Sequence, residues 1–188
     1  MPVETLKAPY ILLASPDLPD PNFRQSVIVM GHHDAESALG WIVNRTVDGP
    51  VSSFLPDEIA EGIHPTTPLR LGGPVLTPGL LVLHLERIEG IESTEIAPGL
   101  LVSSQPPVLR VLFGEDLTGR HPRGLLVLGY SGWGAGQLER EMSEGSWFIL
   151  PWDVDFAFPS DTETLWERAL YHLGVDPAKV STAPNSVN

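Results

Sequence analysis

The chain has 188 residues, no cysteine and a formal net charge of −13. Lacking thiols, it is excluded from disulfides, thiolate metal sites and cysteine catalysis, and its charge opposes duplex nucleic acid and anionic membrane surfaces. No apolar run approaches the ~20 residues of a membrane span, and the N-terminus has no charged stretch leading into a long apolar one, so the expectation is one cytoplasmic domain over residues 1–188.

In chain order, "PYILLAS" (9–15) reads as a buried strand. The prolines of "PDLPDPN" end it. Asp20 followed by Pro21 fits a cap and a first-turn proline, and one helical turn there points Phe23 into the core. "RQSVIVMG" (24–31) and "ALGWIVNRT" (38–46) read as a hairpin, with "HHDAES" as its turn. "VSSFLPDEIAEGI" holds a weak helix interrupted by Pro56. "TTPLRLGGPV" is a strand ending at the turn signal Gly72-Gly73-Pro74.

"GLLVLHLERI" (79–88) is a strand with Leu81, Leu83 and Leu85 on one face and Val82, His84 and Glu86 on the other. "GLLVSSQ" is another strand, and "PPVLRVLFGED" a helix from its prolines to Gly114. "GLLVLGY" (124–130) reads as a central strand, followed by a glycine-rich corner and a short helix in "GAGQLEREMSEG". Leu138 and Met142 share one face of that helix, and Gly145 stops it. "SWFILPW" is a strand ended by Pro151. The last helix carries Leu165, Trp166, Ala169, Leu170 and Leu173 as its apolar stripe, with Ser160 and Glu163 as a capping box and Gly174 as its stop. A polar tail from about 176 is expected to fray. Strands do not alternate strictly with long helices. The pattern therefore predicts an α+β fold, with a mixed, largely antiparallel sheet curled toward a partial barrel and flanked by helices.

The corner "GYSGWGAG" comes near two enzyme templates and meets neither. A nucleophile elbow needs glycine two before and two after the serine. Gly129 satisfies the first and Trp133 breaks the second. A base for Ser131 would have to come from scattered histidines such as His172. Gly132, Gly134 and Gly136 fall one residue short of the dinucleotide fingerprint. A phosphate at the helix start would meet Glu139, Glu141 and Glu144. The stretch reads as a packing corner where Ser131→Ala is harmless and valine at Gly132 or Gly134 costs stability.

Other polar groups offer candidates. His32, His33, Asp34 and Glu36 are metal-ligand types, but neighbours on a strand point to opposite faces, so an exposed hairpin tip is expected rather than a metal site. Arg110, Arg120, His121 and Arg123 form a locally basic segment diluted by Glu115 and Asp116, read as a solvated loop. Asn22, Arg24, Asn44 and Arg45 come together if the hairpin pairs closely. Paired arginines there could fork a carboxylate or phosphate. Alternatively, Asn22 and Asn44 tie loops together and the arginines pair with Asp17, Asp20 or Asp48. His84 joins the set as a strand histidine beside Glu86.

In order along the chain, "ASPDLPDPNFRQSVIVM", "GWIVNRT", "LGGPV", "LVLHLE", "LGYSGWGAGQLEREM" with "SWF", and "LWERALYHLG" resemble the YqgE/AlgH family of bacterial proteins. The pattern marks Gly72, Gly73, Gly129, Gly132, Trp133, Gly134, Gly136 and Leu138 as structural. This chain departs from it at Trp41, usually aliphatic, and at Thr46, usually proline; alanine is common at Ser131. The resemblance implies a curled sheet with flanking helices and a cytoplasmic location, and some members carry a transcriptional-regulator label. No helix-turn-helix or basic stripe supports direct DNA contact. The expected function is a non-enzymatic regulatory or binding protein acting through a protein partner or small anionic ligand, with no cofactor. Direct DNA binding, and an enzyme site near Arg24, Asn44, Arg45 and His84, are the alternatives.

Overall fold

Short apolar runs between breakers become strands here, with boundaries shifted by a few residues. The computed structural model describes residues 6–114 and 123–180. Nine strands form one sheet: β1 Tyr10–Ala14, β2 Val27–His33, β3 Ser37–Ile42, β4 Leu69–Leu71, β5 Val75–His84, β6 Thr94–Ala97, β7 Leu100–Ser103, β8 Gly124–Gly134 and β9 Trp147–Leu150. The helices are α1 Asp57–Ala60, α2 Pro106–Phe113, α3 Gln137–Ser143, α4 Val154–Ala157, α5 Leu165–His172 and α6 Pro177–Val180.

The strand order is β6-β7-β5-β8-β3-β2-β1-β9, with β4 beside β8. All pairings are antiparallel except β4 with β8, which is parallel. The fold is α+β with a mixed, largely antiparallel sheet, as the pattern predicts. The sheet curls, so that a Cβ added to Gly31 of β2 would meet Ile96 of β6 at 2.7 Å. It does not close, because no pairing joins the end strands β6 and β9 among the described residues.

β8 organises the sheet by changing neighbours along its length. Its first half pairs β5 on one side (Leu128 with Leu80) and β4 on the other (Leu126 with Leu69). Its second half pairs β3, from Ser131 with Gly40 to Gly134 with Ser37. The switch falls at Gly129, which adopts φ 71°, a conformation open to glycine at little cost. Gly72 and Gly73 pass directly against it. A Cβ on Gly72 would lie 2.4 Å from the Gly129 carbonyl oxygen, and one on Gly73 would lie 2.3 Å from that of Tyr130. Two glycine motifs far apart in sequence are thus one backbone crossing.

This arrangement corrects the reading of the corner. The strand runs on through Ser131 to Gly134, and only Ala135 and Gly136 turn into α3. Gly134 would accept a Cβ with nothing within 4 Å, and Gly132 meets only the Tyr130 ring, at 3.2 Å. The crowded positions are therefore Gly72, Gly73 and Gly129, and Gly136 is fixed by its φ of 67° rather than by crowding.

Both faces of the sheet are buried. On β1, Ile11 and Leu13 join the cluster containing Trp166, Ala169 and Leu170 of α5, together with Val29, Leu83 and Val127. Tyr10, Leu12 and Ala14 face the other way, onto Leu138, Trp133 and Trp147. A third cluster packs Val108, Leu109 and Leu112 of α2 on Leu69, Val82 and Leu126. Each fully buried aliphatic side chain contributes about 1.5–3 kcal/mol.

Other expectations need correction. β2 extends through His32 and His33, so the hairpin turn is shorter than "HHDAES". The edge strand β6 was hidden by its polar composition, and α4 by its four-residue length. The last helix is not capped by a Ser160–Glu163 box. Asp161 instead accepts from the Glu163 amide at 3.0 Å and from the Thr164 hydroxyl at 2.5 Å. The tail opens with the helical turn α6.

Candidate functional site

The Asn22–Arg45 cluster forms, and the side-chain donors of Asn44 and Arg45 are spent on the fold. Past β3 the chain reaches Asn44, whose Oδ1 accepts from the Val27 amide at 2.8 Å and whose Nδ2 donates to the Gln25 carbonyl at 2.9 Å. Half-buried Arg45 donates through Nη1 to the Asn22 carbonyl and through Nη2 to those of Pro21 (3.3 Å) and Arg24 (2.9 Å). Burial lowers the Arg45 pKa, with Asp20 opposing, and a guanidinium stays charged regardless. The arrangement braces residues 21–25, which include Gln25 at φ 54°. Of the alternatives open in the sequence, the tie between loops is the one formed by Asn44. Arg45 holds carbonyls rather than an aspartate. Arg24 is exposed, and no side-chain ion pair of it is seen among the described residues.

The braced loop sets Phe23 on two indoles. Its ring stacks on Trp133 at 5.8 Å and meets the edge of Trp147 at 5.5 Å. Both indole N–H groups donate to Glu141 Oε2, at 3.0 and 2.9 Å. Gln137 Nε2 donates to Glu141 Oε1 at 3.0 Å, while its own oxygen accepts from the Gly134 amide at 3.1 Å. Glu141, read in the sequence as a charge that repels anions, is the acceptor that closes this cluster.

Two histidines also depart from expectation. His33 is no exposed tip: its side chain is 4% exposed. Tyr10 Oη lies 2.7 Å from His33 Nδ1, and Glu139 Oε1 lies 2.9 Å from Nε2. Neutral imidazole satisfies both, accepting from the tyrosine and donating to the carboxylate. Burial, then Glu139, raises the Tyr10 pKa. Burial is the largest influence on Glu139 and works to raise it, but the hydrogen bond from His33, a backbone hydrogen bond and the His33 charge together outweigh it and leave that carboxyl below its ordinary value. His84 is 1% exposed rather than on a polar face. Its Nδ1 donates to the Glu86 carbonyl at 2.8 Å and its Nε2 lies 3.0 Å from Ser103 Oγ. Ser103 is 4% exposed, so this pair has no surface for a substrate. Ser131 is fully buried and donates to the Gly72 carbonyl at 3.0 Å. His172 packs edge-on against Phe156 instead. Among the described residues, no group of three metal-ligating side chains converges, and no helix is long and apolar enough to cross a membrane.

Unspent donors lie elsewhere, in an open cleft of about 720 Å³ lined by Arg70, Arg123, Arg168, Asp155, Ser160 and Phe158 among others. Arg70, on β4, is 5% exposed. Its Nη1 donates to Thr46 Oγ1 at 2.8 Å, and its buried Nε–H has no partner. Burial lowers its pKa, and no carboxylate opposes that. Arg123 pairs with Asp155 at 3.4 Å, both well exposed. Arg168 donates to Thr164 Oγ1 at 3.2 Å and to the Asp161 carbonyl at 3.3 Å.

A family model described as AlgH-like matches residues 11–178. The chain belongs to the AlgH-like family. A UPF0301 protein of Ruegeria pomeroyi is 36% identical to this AlgH-like chain over 181 residues, covering 92% of it and 95% of the relative. Another, from Chlorobaculum tepidum, is 34% identical over 185 residues, covering 96% and 94%. The solution structure of the AlgH protein from Pseudomonas aeruginosa superposes with a TM-score of 0.68 at 28% identity, covering 95% of this chain and 94% of that one. At 18% identity, DIP2367 from Corynebacterium diphtheriae shares the fold, with a TM-score of 0.68 and 95% and 93% covered.

In this AlgH-like chain the motif residues meet in three dimensions as packing. "DPNF", "NR" and "GWGAGQLERE" with "SW" build the Phe23–Trp133–Trp147–Glu141 cluster and its brace, and "LGGPV" crosses "LGY". Neither the arginine cleft nor a second one, between Phe54 and Leu109, is lined by Asn22, Arg24, Asn44, Arg45 or His84. Of the basic segment, Arg123 reaches the cleft and Arg110 donates to the Glu58 carbonyl, while Arg120 and His121 lie outside the described residues. Sequence reasoning missed Arg70 and Arg168. The available signal was an arginine between Leu69 and Leu71 in a strand with both neighbours apolar.

Proposed function

We propose that this AlgH-like protein is a cytoplasmic binding protein with a regulatory role, acting through a small ligand or protein partner rather than by catalysis. One observation carries this reading. The polar groups that an enzyme site would have used are consumed by the fold: Arg45 by main-chain carbonyls, Ser131 by Gly72, and His84 with Ser103 inside the sheet. A reacting group must lie within hydrogen-bond reach of a substrate. Direct DNA contact is disfavoured by the charge of −13, since phosphate neutralisation supplies most non-specific affinity.

Native mass spectrometry of the full chain, purified from its own host, tests the reading. A retained small molecule or a stoichiometric partner is the expected result. Repeated preparations carrying neither, or sequence-selective binding of duplex DNA in a salt series, would overturn it.

A further inference from the structure

The arginine cleft has a chemistry the rest of the molecule lacks. The chain holds 11 basic residues against 24 acidic ones. Yet this cleft gathers three arginines and one aspartate. Asp155 is the lesser counterweight, because its side chain is 90% exposed and its pair with Arg123 spans 3.4 Å. Such surface pairs hold little energy and exchange readily.

Arg70 is the decisive group. A buried charge is ordinarily paired. Here Arg70 is 5% exposed, and among the described residues its side-chain partner is the neutral hydroxyl of Thr46. Nη1 is used by that bond. The opposite edge, Nε–H with Nη2–H, is the one that forks a carboxylate or phosphate. Of that edge, Nε–H is buried without a hydrogen-bond partner. Ser26 Oγ and Trp41 Nε1 are also buried without partners, but neither lines the cleft.

We propose that the cleft binds a small organic oxyanion, a carboxylate or phosphate ester, with its charged head at the Arg70 guanidinium. Arg168, Arg123 and the Ser160 hydroxyl complete the polar side. The apolar body lies against Phe158, Pro159 and Leu125. A cleft of about 720 Å³ is far larger than an inorganic ion and falls in the range of small-molecule sites. This inference rests on the binding reading above and supplies its ligand class.

Titration calorimetry of the full chain at low ionic strength tests it, with phenyl phosphate, benzoate and inorganic phosphate as probes. Saturable one-to-one binding is expected for at least one organic probe, about tenfold tighter than for inorganic phosphate. The tighter organic probe identifies the headgroup. Arg70→Met should weaken it by about tenfold or more, and Arg168→Gln or Arg123→Gln by roughly three- to tenfold. Arg87→Gln removes an exposed arginine paired with Glu95, outside the cleft, and should leave the affinity unchanged. If Arg70→Met does not fold, the two glutamine variants decide. No saturable binding by the wild type, equal affinity for inorganic phosphate, or equal losses in Arg87→Gln would overturn the proposal. A protein that ignores all three probes but retains another molecule from its host refutes the arginine site alone; one that retains nothing refutes the binding reading too.

Discussion

Replacing Glu141 by alanine should be among the most destabilising polar substitutions in this protein. The change leaves the indole N–H groups of Trp133 and Trp147 without their shared acceptor, and these residues are only 4% and 6% exposed. Hydrogen bonds to a charged acceptor are worth about 1.5–3 kcal/mol each. Glu141 itself is half-buried, so water recovers part of the loss. A net cost of about 3 kcal/mol follows. With an m-value of ~2 kcal/mol/M, the urea midpoint falls by ~1.5 M. Glu141→Gln is the control. It keeps one oxygen for the two indoles and loses the bond from Gln137, so it should cost only about 1 kcal/mol. Far-UV circular dichroism is the suitable probe, because tryptophan emission changes at the site itself. A Glu141→Ala midpoint within ~0.3 M of wild type would show that the two indole bonds are energetically idle and refute the reasoning.

Further outcomes can be checked in the same assay. Gly72→Ala should cost more than ~2 kcal/mol, because its Cβ meets the Gly129 carbonyl, while Gly134→Ala stays within ~0.5 kcal/mol; equal midpoints would contradict the crossing. Ser131→Ala should cost about 1 kcal/mol rather than nothing, since the Gly72 carbonyl keeps the Ile42 amide but loses the hydroxyl. Glu139 has a folded-state pKa below its unfolded value, so its contribution is complete above about pH 4.5 and is lost as pH falls through the folded value. The midpoint gap between wild type and Glu139→Gln should therefore narrow from pH 6 to pH 3, and a constant gap would rule out the His33 linkage. Arg45→Met releases three carbonyls, and hydrogen exchange should speed up at the amides of residues 22–26 while β5 and β8 stay protected.

How much was legible in the sequence depended on where each signal resides. β1, β8 and β9 were readable because their apolar runs are short and bounded by breakers. The helix α5 was readable from its stripe, but its start was misread, since it begins after Thr164 with no side-chain cap, and Asp161 serves the turn before it. β6 was not readable, because a strand exposed at a sheet edge has no need of apolar residues. The parallel pairing of β4 with β8 depends on contacts more than 50 residues apart, which no local pattern carries. The same limit governs the sites. His33 looked exposed because its burial comes from Glu139 and Tyr10, on other elements. Arg45 and Asn44 were correctly grouped with the loop at Asn22, since hairpin pairing brings those ends together. The arginine cleft combines β4, the start of β8 and the first turns of α5, so nothing local announced it.

The seam between β1 and β9 sets a schedule for biosynthesis. β1 pairs with β9 from Ile11 opposite Leu150 to Ala14 opposite Trp147. At 5–20 residues per second, a ribosome needs about 7–28 s to make the ~140 residues that separate these strands. Throughout that interval the β1 edge of the nascent β1–β2–β3 segment waits for β9, its β3 edge waits for β8 over most of it, and the place of Trp166, whose indole donates to the Ala14 carbonyl, is unoccupied. An unpaired apolar edge is a template for pairing with other chains. The nascent protein therefore presents a chaperone substrate at β1 until β9 has been translated, and slower translation lengthens that exposure.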